Sequence, residues 1–208
     1  MLDETELARL TDATRMVPLT TNEYNATDFV VAVVETVIDY QNNSTAVDRA
    51  GRYFEEHARR RIRTLDDLED ELARYADDRD GNDALAMELW NYHHWRRAQE
   101  LRGLVAYFRE RDVTDVASLR SWAEGSTSKD FVGHIKGLGP TVYQWLVMRA
   151  GVETIKPDVH VLRFVAKAIG RPVNEAEAID SLEVVAERLE IAPRVLDWSI
   201  WEYQRAGS

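Results

Sequence analysis

The sequence predicts an all-α protein, and three observations carry that prediction. Apolar residues recur at three- and four-residue intervals along nearly the whole chain. Capping residues stand before two of those runs, Thr27 or Asp28 before one and Asp158 before another. The one segment with strand character, Val30-Val31-Ala32-Val33-Val34, has no second alternating run to pair with. Taken in order, helices are expected over 4–15 and 28–41, the second opened by Thr27 or Asp28 as N-cap. The pattern continues over 45–57, 65–75, 84–90 and 94–109. The acidic, glycine-broken stretch Asp77-Asp78-Arg79-Asp80-Gly81-Asn82 reads as the clearest loop. Short helices are expected over 113–122 and 129–136, and a longer one over 141–150. After Pro157, helices are expected over 159–169, 175–189 and 193–205. No internal repeat or low-complexity linker interrupts the chain.

With 208 residues, 45% of them hydrophobic and 30% charged, the chain can build a core as one compact unit or two small lobes. No apolar run approaches the roughly 20 residues that cross a bilayer. Glu35 breaks the longest candidate, 29–38, and Asp3, Glu4 and Glu6 replace the basic start of a signal peptide. A soluble, cytoplasmic protein without membrane partners is the expectation. The absence of cysteine excludes disulfides, thiolate nucleophiles, zinc knuckles and cysteine-ligated iron–sulfur clusters. Among the five histidines only His93 and His94 are adjacent, and neighbours on a helix point about 100° apart, a poor chelate.

A net charge of −11 argues against a nucleic-acid partner at first sight. The positive charge is nearly all arginine, with lysine only at Lys129, Lys136, Lys156 and Lys167. Such a surface suits either a salty cytoplasm or a GC-rich genome. Basic residues also cluster, at His57-Ala58-Arg59-Arg60-Arg61-Ile62-Arg63 and at His93-His94-Trp95-Arg96-Arg97. Each cluster reads as a local phosphate-binding face or as an ordinary solvated helix face.

Two stretches carry chemistry. In Phe131-Val132-Gly133-His134-Ile135-Lys136-Gly137-Leu138-Gly139-Pro140-Thr141-Val142, a short helix ends, the chain turns through two glycines, and a new helix begins with Pro140 at its first position. Glycines permit positive φ and let a phosphate approach bare backbone, while the free N–H groups and dipole of the new helix point at the same place. The turn therefore suits a DNA phosphate without reading sequence, or is a tight helix connection with glycine at the C-cap. In Ile155-Lys156-Pro157-Asp158-Val159-His160-Val161-Leu162-Arg163, proline holds the chain extended and Asp158 falls at a helix N-cap. Aspartate there is a structural cap. A carboxylate held there also has the chemistry to stabilise an oxocarbenium-like sugar and to orient an attacking water.

Together, the double-glycine turn, the following helix and Pro157-Asp158-Val159-His160-Val161-Leu162-Arg163 resemble the helix-hairpin-helix DNA glycosylase superfamily, which includes endonuclease III and the adenine-mismatch and 8-oxoguanine glycosylases. Residues 135–139 match that family's hairpin, with Lys136 where proline is usual, and Asp158 falls on its essential aspartate. Weaker likenesses extend over about 27–205. The run 28–34 looks like the first barrel helix, leading to Asp39-Tyr40-Gln41-Asn42 near a duplex wedge; His94-Trp95-Arg96-Arg97 opens a helix like the one after the central loop; and Trp198-Ser199-Ile200-Trp201-Glu202-Tyr203 looks like the last helix.

The resemblance implies two helical lobes: a barrel over 27–156 bearing the hairpin, and a second lobe from 1–26 and 157–208. It implies a double-stranded DNA partner carrying a damaged or mismatched base, and a monomer. Lys136, Gly137, Leu138, Gly139, Pro140 and Thr141 would contact DNA, Asp158 would be catalytic, and Tyr40, Gln41, Trp95, Tyr143, Gln144 and Trp145 would be candidates for a base pocket or wedge. Trp198 and Trp201 read as core. No cofactor is implied beyond a structural potassium or sodium ion on the carbonyls of Gly133, Ile135 and Leu138. Relatives that also nick the strand place a lysine where this chain has Thr141, so a monofunctional enzyme is expected, in which water attacks and an abasic site remains. The four-cysteine iron–sulfur loop is missing. Two other readings remain: a non-catalytic hairpin DNA-binding module, and a helical protein that does not bind DNA.

Overall fold

A computed structural model describes residues 2–20, 28–39 and 44–206, and among these every regular element is a helix. The chain divides into two compact units, one of Met1–Asn25 with Gly151–Ser208 and the other of Ala26–Ala150, so residues 151–156 go with the chain ends. No described helix is long and apolar enough to cross a membrane.

The unit formed by the chain ends contains α1 (Glu4–Arg15), α10 (Val159–Ile169), α11 (Glu175–Leu189) and α12 (Pro193–Ala206), with the helices between α1 and α10 lying in the other unit. Local signals start each of the first three. Asp3 and Glu6 form a reciprocal capping box, Asp158 caps α10 and Asn174 caps α11. Gly170 ends α10 at φ 86°, a conformation glycine adopts without penalty. Leu7, Leu10, Ile155, Val161, Phe164, Val165, Leu182, Val185, Leu196 and Ile200 fill one core. On the rim, Arg171 ties Glu6 of α1 to Glu177 of α11.

The other unit is built around α2 (Phe29–Asp39), started by Asp28, whose Oδ1 accepts the Val31 N–H at 3.0 Å; Thr27, the alternative cap, lies outside the described residues. Phe29, Val30, Ala32, Val33, Val34, Val37 and Ile38 are all buried. That all-round apolarity, which gave residues 30–34 their strand character, belongs to a helix enclosed by others. Around it lie α3 (Ser44–Tyr53), continued by one wide turn over Phe54–Ala58, then α4 (Leu65–Ala73), α5 (Arg79–Trp90), α6 (Trp95–Arg109), α7 (Val116–Gly125), α8 (Ser128–Phe131) and α9 (Pro140–Arg149). Helix α2 packs against α3, α4, α6 and α9.

Two expected elements are corrected. Residues 77–82 are not a loop throughout, because α5 begins at Arg79: Asp78 caps it through the Gly81 N–H at 2.8 Å, and a Cβ on Gly81 would overlap the Ala76 carbonyl. The acidic cluster is thus a helix start, and Gly81 belongs to the helix's first turns. The helix expected over 129–136 is a single turn, Ser128–Phe131, because Gly133 takes φ 91° and breaks it.

Arg102 of α6 locks the corner between α4 and α5. Its guanidinium donates to Asn82 Oδ1, the Leu72 carbonyl and the Tyr75 carbonyl, each at 2.8 Å. Two of those acceptors lie at the end of α4, where carbonyls lack helical partners. Arg102→Met, which keeps the apolar stem, is expected to cost about 2–4 kcal/mol by taking a charged donor from these acceptors, of which only Leu72 keeps a backbone partner, the Tyr75 N–H, among the described residues; urea unfolding measures it, and a loss below about 1 kcal/mol would assign the corner to apolar packing.

Candidate functional site

The hairpin is anchored by apolar residues and turned by glycines. Phe131, Ile135 and Leu138 are buried, while Lys136, Gly137 and Pro140 are exposed and Gly139 and Thr141 are half-exposed. The turn needs positive φ at Gly133 (91°) and Gly137 (97°), whereas Gly139 is extended, at φ −109° and ψ −166°. Of the two glycines expected to carry the turn, Gly137 does so and Gly139 instead N-caps α9, with Pro140 at the first helical position. The N–H groups of Gly137, Gly139 and Thr141 meet no acceptor among the described residues. They stand with the positive end of a ten-residue helix.

Helix α6 supports the turn from beneath, a feature the sequence reading missed. A Cβ on Gly103 would lie 2.8 Å from Ile135 Cγ2, so that glycine lets the hairpin approach α6 closely. A Cβ on Gly137 would overlap Glu100 Oε1. Glu100 is held in turn by Arg97, at 3.0 Å, with both side chains largely buried. Burial raises the Glu100 carboxyl above its ordinary range, and the Arg97 guanidinium draws it part of the way back. Gly137→Ala should therefore meet both a φ penalty and the pinned Glu100. It is expected to cost about 1–3 kcal/mol and to destabilise the protein more than Gly139→Ala, whose Cβ has open space around it. Equal effects of the two substitutions on thermal unfolding would refute this origin of the turn.

The carbonyls of Gly133, Ile135 and Leu138 fit the requirement for a weakly held alkali cation in one respect. Ile135 O accepts only the Leu138 N–H, at 3.2 Å, and the other two accept no backbone donor among the described residues, so all three keep lone pairs. No cluster of three carboxylate or histidine ligands occurs among the described residues.

In the unit of the chain ends, Asp158 starts α10. Its Oδ1 accepts the N–H groups of His160 at 2.8 Å and Val161 at 3.0 Å. Its Oδ2 lies 3.7 Å from Lys156 Nζ, and the side chains of Lys156 and Asp158 are 16% and 17% exposed. Val159 beside it is 59% exposed, so the aspartate lies at the surface end of its helix. The Asp158 N–H donates to the Lys156 carbonyl at 2.8 Å, closing a tight turn over Pro157. Behind this turn, Asp197 of α12, only 4% exposed, accepts the Lys156 N–H at 2.8 Å. Burial pushes the Asp197 carboxyl up to about 7, with Lys156 opposing the shift and Asp158 adding to it. Asp197 was not singled out from the sequence. Its only sequence signal is a carboxylate between Leu196 and Ile200 on an apolar stripe.

The remaining candidates are scattered. Tyr40 and Gln41 lie outside the described residues. Trp95 opens α6, half-exposed, with the Arg96 guanidinium 5.4 Å over its ring. Tyr143 is buried: its hydroxyl donates to the Ser126 carbonyl at 2.8 Å, and Trp122 packs edge-on against its ring. Trp145 is also buried, under Arg149, and Gln144 is half-exposed. Trp198 and Trp201, expected in the core, are instead half-exposed and stacked on each other at 4.6 Å, with Arg205 over Trp201. Half of the arginines in the two basic clusters are held in ion pairs. Arg59 pairs with Asp28, Arg61 with Glu71 and Glu88, and Arg97 with Glu100, while the guanidinium groups of Arg60, Arg63 and Arg96 form no ion pair within 4.0 Å among the described residues.

A family model described as Domain of unknown function (DUF8548) matches residues 20–205. The chain belongs to that family. The DUF8548 match spans the hairpin, Asp158 and Asp197, while α1 precedes it even though Leu7 and Leu10 share the core with α10 and α11. No curated protein and no solved structure matches this DUF8548 chain.

Proposed function

We propose that this protein is a monofunctional DNA glycosylase of base excision repair, acting as a monomer on double-stranded DNA that carries a damaged or mismatched base, with the two-lobed helix-hairpin-helix architecture that the sequence resembles. The observation that carries the reading is a pair of features on one chain. One is a glycine turn presenting unpaired N–H groups at the start of α9; the other is an N-cap aspartate with Oδ1 committed to the cap and Oδ2 turned toward a lysine.

Backbone N–H donors bind phosphate without net positive charge, which reconciles the hairpin with a protein of charge −11. Gly137, Gly139 and Thr141 hold the DNA backbone, and Lys136 adds an exposed cation. A potassium or sodium ion on the carbonyls of Gly133, Ile135 and Leu138 would stiffen the turn. With the target nucleotide out of the stack, the C1′–N bond breaks and its electron pair leaves with the base. The Asp158 carboxylate stabilises the positive charge left on the sugar and orients the water that adds to C1′, and the proton this water gives up passes to the departing base. With Thr141 in place of an amine no Schiff base forms, so the product is an intact abasic strand.

The second reading, a hairpin DNA-binding module without catalysis, is favoured by the engagement of Asp158 Oδ1 in capping α10. Incubation with duplexes bearing oxidised, alkylated, deaminated or mismatched bases, from low to molar salt, separates the two. Release of one base class, with nicks appearing only after alkali and lost in Asp158→Asn, supports the enzyme. Salt-sensitive binding by both proteins with no base released across the panel supports the module.

A further inference from the structure

Asp197 lies 41 residues from the Lys156 N–H it accepts, on a different helix, and two hydrogen bonds and an ion pair, all through Lys156, join it to Asp158. Its Oδ1 accepts the Lys156 N–H at 2.8 Å; the Lys156 carbonyl accepts the Asp158 N–H at 2.8 Å; and the Lys156 ammonium stands 3.7 Å from Asp158 Oδ2. Pro157 has no N–H of its own and fixes φ within this turn, so the Lys156 N–H is the donor through which the protein can grip it from behind. At the front, the cap bonds to His160 and Val161 fix Oδ1. A carboxylate clamped at Oδ1 and approached by a lysine at Oδ2 has a defined plane, and that plane depends on where the Lys156 backbone is held.

We propose that Asp197 is the positioning residue for Asp158: from the buried face of α12 it fixes the Lys156 backbone, and thereby the turn and the ammonium that set the direction of Asp158 Oδ2. The inference rests on the glycosylase reading of Asp158. A buried carboxylate is a poor contribution to stability unless its bonds serve something else, and the cation that acts on it, Lys156, is also the partner of Asp158. The geometry required at a reacting centre is strict enough that a shift of about 1 Å in a carboxylate lowers a rate about 100-fold.

Asp197→Ala and Asp197→Asn in the full chain test the proposal through three readouts: the single-turnover rate constant of base release, the duplex dissociation constant, and amide hydrogen exchange at Lys156 and Asp158. Asparagine keeps an acceptor for the Lys156 N–H and alanine does not. The alanine variant is expected to release base about 10- to 100-fold more slowly, with full amplitude and an unchanged dissociation constant, and asparagine is expected to restore most of the rate. Exchange at Lys156 and Asp158 is expected to quicken at least about tenfold in alanine and not in asparagine. A purely structural contribution would lower the amplitude, the active fraction, and leave the rate constant alone. Should the alanine variant not fold, Asp197→Ser, whose hydroxyl is too short to reach the Lys156 N–H, takes its place. A folded variant with wild-type exchange at both amides, or a slowed rate that asparagine does not restore, overturns the proposal. If the wild-type protein releases no base from any duplex, the glycosylase reading fails by itself, and the exchange measurement still decides whether Asp197 holds the Asp158 turn.

Discussion

Asp158→Asn is expected to lower single-turnover base release by about 10²- to 10³-fold, the size of effect seen when one preorganised electrostatic group is taken from a transition state. The substitution is informative because asparagine caps a helix about as well as aspartate. The amide oxygen of the introduced asparagine can still accept the His160 and Val161 N–H groups that Oδ1 accepts in the wild type. Stability should thus change by less than about 1 kcal/mol, and a collapse in rate could not be ascribed to a lost helix. What disappears is the negative charge facing Lys156. On the proposed function, DNA affinity comes from the N–H groups of the hairpin and should be unchanged or slightly stronger once an anion is removed. A rate within about threefold of wild type would leave Asp158 as a cap and nothing more.

Asp197 should make the unit of the chain ends more stable in mild acid than at alkaline pH. In the unfolded chain its carboxyl titrates near its ordinary value of 3.8; in the folded protein, burial raises it to about 7. Below pH 4 both states are protonated and the full stabilisation is present. Between these values the unfolded chain loses its proton while the folded protein keeps it, so stability falls as pH rises and levels off above about 7. A shift of about three units corresponds to at most about 4 kcal/mol. Asp197→Asn removes the titration, so it should flatten this part of the stability profile and exceed the wild type at pH 8 while approaching it at pH 4. Urea midpoints at pH 4, 6 and 8 decide the matter. Parallel profiles for the two proteins would mean that Lys156 and the Asp158 turn keep Asp197 ionised throughout.

The starts of α1, α10 and α11 were legible because their information is local. Asp3, Asp158 and Asn174 bond to N–H groups two or three residues ahead, a distance the sequence displays directly. Pro140 at the head of α9 is legible for the same reason. Where local signals compete, the reading erred: the acids and glycine of 77–82 resemble a loop until Asp78 is seen capping Gly81, and the apolar residues of 129–136 suggest a helix until Gly133 is seen at φ 91°. The tryptophans of α12 read as core from size alone, yet Trp198 and Trp201 cover each other and remain half-exposed.

The helical class, most helix starts, the glycine turn and the N-cap position of Asp158 are written in spacings of two to four residues along the chain. What stands behind those features arises from packing. The Gly103–Ile135 approach, the Glu100 carboxylate under Gly137, the pairing of Arg59 with Asp28 and the bond from Lys156 to Asp197 join residues about thirty or more positions apart. Charge and apolar periodicity reveal that such a residue is unusual for its place, as Asp197 is between Leu196 and Ile200. They do not reveal its partner, because which side chain meets a buried carboxylate depends on how the helices pack together, and helix packing is a property of whole surfaces rather than of neighbours along the chain.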